Sequence, residues 1–210
     1  MAIISITELD QLHEFDMSDD DLHTAHANGH LSSAEYEGLE TAMHEAAHFC
    51  AAIIARSYID VVCVTPPKRG KPSTGIVHSV ALTDDPRLES FVSLAGYEWE
   101  VYHKGTGERG AEDFELAQDQ ARSGSHWISK QWAGKKADDI FDEAQQAARA
   151  LVRHYDQTIR VAAIGIYTLR NKKSGCLSTG RILALKDWVR PQLPCNFNAL
   201  FLMARAQTIA

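Results

Sequence analysis

Residues 41 to 50, TAMHEAAHFC, place His44, Glu45 and His48 inside an apolar run. A helix that only filled a core would carry leucine at these positions, because burying an imidazole without partners for its nitrogens costs free energy. On an α-helix, residues four apart lie on one side and one turn along, so His44 and His48 can direct ring nitrogens at one ion. The segment therefore predicts a helix that carries a metal site.

Glu45 points about 100° away from His44 around the helix axis. Its carboxylate then lies beside a metal-bound water, where it can take a proton and later pass it to a leaving amine. Zn²⁺ suits two imidazoles and one carboxylate with an open fourth position, and it lowers the pKa of bound water to about 7. We therefore expect zinc at His44 and His48 and catalysis by Glu45, with two structural histidines on an ordinary helix as the alternative.

The remaining pattern predicts a mainly α fold with a small β-hairpin, an α+β class. A capping-box pattern at Ser32 and Glu35 begins the helix of the two histidines, which continues to about residue 56. β-branched residues at 58–65 and 76–82 flank a loop rich in proline and glycine, and they predict two neighbouring strands. Further helices are expected over five stretches: 87–103, 110–122, 136–170, 179–188 and 196–207.

The chain divides into three predicted segments: an acidic N-terminal arm at 1–30, a metal-binding domain at 31–190 and a C-terminal extension at 191–210. With 210 residues, 45% of them hydrophobic, it can bury one sizeable core. Three histidines are expected to belong to a flexible polar arm: His23, His26 and His30. Their spacing would also allow a second metal site, and an arm that covers the active cleft is the functional alternative.

Composition argues against a membrane-spanning protein and against a general nucleic-acid binder, although the basic C-terminal part could contact an anionic partner. No stretch approaches the ~20 apolar residues that span a bilayer, and the first residues lack a basic region before an apolar one, so a soluble, cytoplasmic protein is expected. Eleven acids precede the first base, Arg56, and the net charge is −7, which argues against a general nucleic-acid binder. The four cysteines contain no C-x-x-C pair and are expected to be reduced, mostly buried thiols: Cys50, Cys63, Cys176 and Cys195.

Four segments resemble the peptidase domain of the FtsH-type ATP-dependent zinc proteases. MHEAAHFCAAIIA is similar to the family's H-E-A-G-H-A helix, and VVCVTPPKRGKPSTGIVHS to its strand, proline-arginine-glycine turn and G-Y-T segment. LAGYEWE is similar to L-G-G-R-A-A-E, and GAEDFELAQDQAR to G-A-S-N-D-L-x-x-A-T-x-x-A-R. The resemblance covers roughly residues 40 to 185 and implies a zincin-like helical metallopeptidase domain.

The resemblance also implies that Asp113 is the third metal ligand. The segment before Asp113 is one residue shorter than the family pattern, so Glu112 is a rival ligand. Ala47 stands where the family has a glycine between the histidines. No Walker loop, G-x-x-x-x-G-K-[ST], occurs in the sequence, so any proteolysis would proceed without built-in ATP-driven unfolding.

Together these features predict a zinc-dependent, ATP-independent endopeptidase that acts on flexible or unfolded protein segments. The strand at 58–65 or 76–82 would pair with an extended substrate. His78 is expected to be a structural or exposed residue, with a role for His78 or Tyr97 in holding an oxyanion as the alternative. Two alternatives are a non-catalytic zinc module that binds or regulates a partner, and a phage-type or stress-type regulatory peptidase with one protein substrate. The resembled family assembles as hexamers, which leaves a homo-oligomer open.

Overall fold

The computed structural model of the chain describes residues 18–68, 70–108, 110–126 and 135–208. Their fold is mainly helical with one two-stranded antiparallel sheet, so the predicted α+β class is confirmed. The helices are α1 Asp19–Ala27, α2 Ser33–Ile54, α3 Pro86–Lys104, α4 Ala111–His126, α5 Ala137–Leu169, α6 Thr179–Val189 and α7 Phe197–Thr208. The strands are β1 Tyr58–Thr65 and β2 Thr74–Val80, and a 3₁₀ turn covers Arg190–Gln192.

Helix α2 carries the two histidines, and its first turn is fixed by the predicted capping box. The Ser32 hydroxyl accepts a hydrogen bond from the Glu35 amide at 3.3 Å, and the Glu35 carboxylate accepts one from the Ser32 amide at 3.0 Å. These two bonds satisfy donors that a helix N-terminus otherwise leaves without partners. From Gly38 onward nearly every residue of α2 is buried, because α3 and α5 pack along it. The helix therefore lies at the buried centre of the fold.

The core lies between α2, α3 and α5, and the C-terminal helix joins it. The buried side chains of Phe91 and Leu151 come from α3 and α5, while Phe197 and Leu200 add the face of α7 to the same cluster. Residues at 197–208 thus pack on the core. Among the described residues, no helix is both long and apolar enough to cross a membrane.

The sheet has one occupied outer edge and one open edge. β1 and β2 pair with Val62 opposite Val77. On the far side of β1, the Val64 amide donates to the Gly175 carbonyl at 2.8 Å, and the Leu177 amide donates to the Val62 carbonyl at 2.9 Å. Among the described residues, no strand pairs with the corresponding far edge of β2.

A disulfide joins Cys63 of β1 to Cys176, so the prediction of four reduced thiols is wrong for this pair. The two cysteines are 113 residues apart, and pairing of the segment around residue 176 with β1 brings them together. Cys50 is a buried thiol, as predicted, whereas Cys195 is exposed. Disulfides are most common in oxidising compartments, and the expected cytoplasmic location stays a prediction.

Candidate metal site

Three side chains converge on one point between α2 and the first turn of α4. The Nε2 atoms of His44 and His48 lie 3.1 Å apart, and the Asp113 Oδ2 atom lies 3.0 Å from the first and 3.4 Å from the second. Ligands that bind zinc tetrahedrally at about 2.0–2.1 Å lie about 3.3–3.4 Å from one another. The triangle therefore has nearly the size of one face of a tetrahedral site, and these residues can hold a metal ion.

Both imidazoles are oriented through their second nitrogen. The Nδ1 atom of His48 donates to the Val92 carbonyl at 2.7 Å, because a carbonyl oxygen can only accept. The Nδ1 atom of His44 lies 3.2 Å from the buried Glu100 carboxylate. Such outer partners orient each ring so that its Nε2 atom is directed at the metal position.

Glu100 also positions the segment that carries the third ligand. Its second carboxylate oxygen accepts a hydrogen bond from the Gly110 amide at 3.1 Å, just before α4 begins. One buried carboxylate thus connects the His44 ring to the turn that carries Asp113. LAGYEWE contains this residue, but its outer-partner role was not predicted from the sequence.

Asp113 joins the ligand group, whereas the rival Glu112 does not. Glu112 is exposed and lines the cleft in front of the site. Replacing Asp113 with Asn is expected to weaken metal binding by about 100-fold or more, since even outer partners of metal ligands contribute up to about that factor. Zinc titration against a competing chromophoric chelator measures the change. Glu112→Gln is the matched control, and an equal loss in that variant would contradict the assignment of the third ligand.

Two glycines make room for the site, and sequence reasoning assigned neither of them a role. A Cβ atom on Gly96 would lie 2.3 Å from His48 Nε2 and 2.7 Å from His44 Nε2. A Cβ atom on Gly75 would lie 2.4 Å from the Glu45 carboxylate. These separations are too short for any side chain, so α3 and β2 approach the ligands and the glutamate through bare backbone.

Glu45 is buried beside the ligands without belonging to them. Its exposed fraction is 5%, and it lines the same cleft as His44 and His48. Burial raises the pKa of its carboxyl group, while the two histidines and the Val77 amide act in the opposite direction. A carboxyl group with a raised pKa is a stronger proton acceptor and can also return the proton.

In the metal-free protein, His44 holds a proton that a metal ion must displace. Burial lowers the pKa of this ring, but hydrogen bonds to Asp113 and Glu100 outweigh burial and raise the pKa to about 10. At pH 7.5 the ring is therefore an imidazolium, and metal binding requires its neutral form. We expect about one proton to be released from His44 per metal ion bound. Calorimetric titration in two buffers of different ionisation enthalpy measures this number, and binding heats that do not depend on the buffer would contradict it.

Two clefts meet at the metal site and follow β2 in opposite directions. The larger, of about 530 Å³, is lined by Glu45 and all three candidate ligands, and it follows the chain from Ser73 into the start of β2 at Ile76. The smaller, of about 390 Å³, contains His48 and Asp113 and follows β2 from Val77 onward. Because two ligands line both clefts, an extended chain lying along β2 would pass directly over the site.

The other sequence candidates lie at the edge of the site or away from it. His78 lines the smaller cleft, and its Nδ1 atom is 2.6 Å from Asp60. Tyr97 packs its ring on Phe114 at 4.8 Å and lines neither of the two clefts, which gives no support to an oxyanion role for it.

The described part of the N-terminal arm packs on the start of α2. His26 stacks on the Tyr36 ring at 4.8 Å, and the Tyr36 hydroxyl lies 2.9 Å from His23 Nδ1. His30 is exposed. Within the described part of the chain, none of these histidines belongs to a metal-binding group or lines either cleft at the metal site.

No protein-family model, curated protein or solved structure matches the chain.

Proposed function

We propose that this protein is a zinc-dependent, ATP-independent endopeptidase that cleaves flexible or unfolded protein segments, with a zincin-like site similar to that of the FtsH-type peptidase domain. The proposal rests on the geometry of the site. The ring nitrogens of His44 and His48 and the carboxylate oxygen of Asp113 lie 3.0–3.4 Å from one another, and the buried Glu45 lies beside them. Two clefts meet at His48 and Asp113.

The donor set fits zinc. Two imidazole nitrogens and one carboxylate oxygen are a catalytic zinc set, and three protein ligands leave a fourth position open. Gly96 keeps the space at the two Nε2 atoms free, which a Cβ atom would fill. Zinc bound there would lower the pKa of a water molecule and polarise a peptide carbonyl.

Glu45 is the proposed general base and general acid. Its position on α2, one residue after His44, places the carboxylate beside the ligands rather than among them. It would take a proton from the attacking water and return that proton to the nitrogen of the leaving amine. The close approach of Gly75 leaves little space on the β2 side of the carboxylate, so its conformation is restricted.

The substrate would bind as an added strand along β2. The far edge of β1 is occupied by Gly175 and Leu177, whereas the far edge of β2 faces α2 and the clefts. The Val77 amide donates to Glu45, so this edge is turned toward the site. A substrate strand would therefore pair with backbone groups of β2 other than that amide. An extended segment can add to a free strand edge through backbone hydrogen bonds, but a folded domain presents few such segments.

The test is metal-dependent cleavage of an unfolded protein. Zinc-loaded protein is expected to release peptides from fluorescently labelled casein, a strong chelator to stop the release, and added zinc to restore it. Metal content is measured in the same samples by elemental analysis. Stoichiometric zinc without turnover of any of several unfolded substrates would favour the non-catalytic module. A single cleaved protein in a cell lysate would favour the regulatory peptidase.

A further inference from the structure

We propose that the smaller cleft, beside His48, is a specificity pocket that takes an apolar side chain of an extended peptide. This inference rests on the proposed function, because it assigns a substrate preference to the same site. The cleft opens directly onto two of the metal ligands, so a side chain that occupies it belongs to a residue close to the bond being cut.

One wall of the pocket is a regular face of α4. Asp113, Leu116 and Gln120 all line the cleft, and their spacing of three and then four residues places them on one side of a helix. Leu116 therefore lies one turn along from a metal ligand, on the same face. Its exposed fraction is 51%, although it stands next to the candidate catalytic centre.

The opposite wall comes from β2 and the residue after it. Val77, Val80 and Ala81 line the cleft there, and Val80 has an exposed fraction of 49%. Val92 of α3 adds a further apolar side chain to the lining. A half-exposed leucine and a half-exposed valine in one lining leave apolar surface in water, and a substrate side chain in the cleft would remove part of that surface from solvent.

The charges of the lining favour an apolar occupant over an acidic one. Among the described lining residues there is no lysine or arginine, and the acidic side chains are Glu89 and the ligand Asp113. An acidic substrate side chain would find no lysine or arginine in the lining and would lie near the Glu89 carboxylate. A basic side chain would contact Glu89, which is exposed and hence well solvated.

The occupant is an extended peptide because the pocket follows the open edge of β2. Side chains of a strand alternate between two faces, so a peptide paired with β2 would direct every second side chain toward the α4 wall. The larger cleft continues the same path on the other side of the ligands, which gives the neighbouring residues of the peptide room.

Binding to a zinc-loaded Glu45→Gln variant tests the pocket without requiring turnover. Three fluorescein-labelled nonapeptides of alternating serine and threonine carry a central leucine, aspartate or lysine, and fluorescence anisotropy measures their affinities. The leucine peptide is expected to bind at least about tenfold more tightly than the other two, as burial of one aliphatic side chain predicts. Adding Leu116→Asp should remove this preference. Leu183→Asp is the matched control, since Leu183 of α6 has an exposed fraction of 54% and lines neither cleft.

Equal affinities of the three peptides, or no saturable binding of the leucine peptide, would overturn the inference. So would equal effects of Leu116→Asp and Leu183→Asp. If thermal unfolding shows that Leu116→Asp is not folded, Leu116→Ala takes its place, with a smaller but still selective loss expected. A wild-type protein that prefers the leucine peptide but cleaves no substrate would contradict the peptidase and support the pocket.

Discussion

Glu45→Gln is expected to reduce peptide hydrolysis by about 10²–10⁴-fold, the range that a positioned general acid or base contributes. Glutamine has nearly the same shape as glutamate but cannot take a proton from water or return one to an amine. The bound zinc should be unchanged, because Glu45 lies outside the three-residue ligand group. Rates on labelled casein and elemental analysis of the same sample measure the two quantities.

Glu115→Gln is the control for this change. Glu115 is exposed on α4 and lines neither cleft at the metal site, so its loss should leave both zinc content and turnover near the wild-type values. Loss of zinc together with activity in Glu45→Gln would instead make Glu45 a metal ligand. Full activity in that variant would contradict its role as the base.

The sequence predicted those parts of the fold and site that depend on local periodicity. The helix of the two histidines was expected from about residue 32 to 56 and covers Ser33–Ile54, because capping and apolar spacing are local signals. His44 and His48 could be paired for the same reason, since four residues fix their separation on a helix. Asp113 had no such local signal, and only the family resemblance pointed to it.

What the sequence could not supply depends on packing between distant segments. Glu100 reaches His44 across the α2–α3 contact, and nothing in LAGYEWE separates it from Glu98, which binds Arg149 instead. Cys63 and Cys176 face each other because a loop after α5 pairs with β1. In each case the partner is set by tertiary structure, and the residue type alone fits several roles.

Gly96→Ala is expected to abolish zinc binding, and hydrolysis with it, while the protein stays folded. The added methyl group would lie 2.3 Å from His48 Nε2 and 2.7 Å from His44 Nε2. Real Cβ atoms do not approach other atoms so closely, so both rings must turn away. The clashing atoms belong to side chains rather than to the backbone, so the rings are expected to move before α2 or α3 does. The nitrogens then lose the spacing of 3.1 Å that allows them to share one ion.

Gly180→Ala tests whether the effect of Gly96→Ala is local, because both changes add one methyl group to a helix. A Cβ atom on Gly180 of α6 would meet no atom within 4 Å, so this variant should keep zinc and gain about 0.5 kcal/mol of stability from the reduced freedom of the unfolded chain. Elemental analysis, casein hydrolysis and thermal unfolding of both variants in parallel make the comparison. Since the methyl group on Gly96 would lie against the two atoms proposed to bind zinc, a Gly96→Ala protein with full zinc content would place the metal elsewhere. An unfolded Gly96→Ala protein would show that the two rings cannot move without disturbing the helices. The zinc titration of Asp113→Asn would then be the test of the ligand assignment.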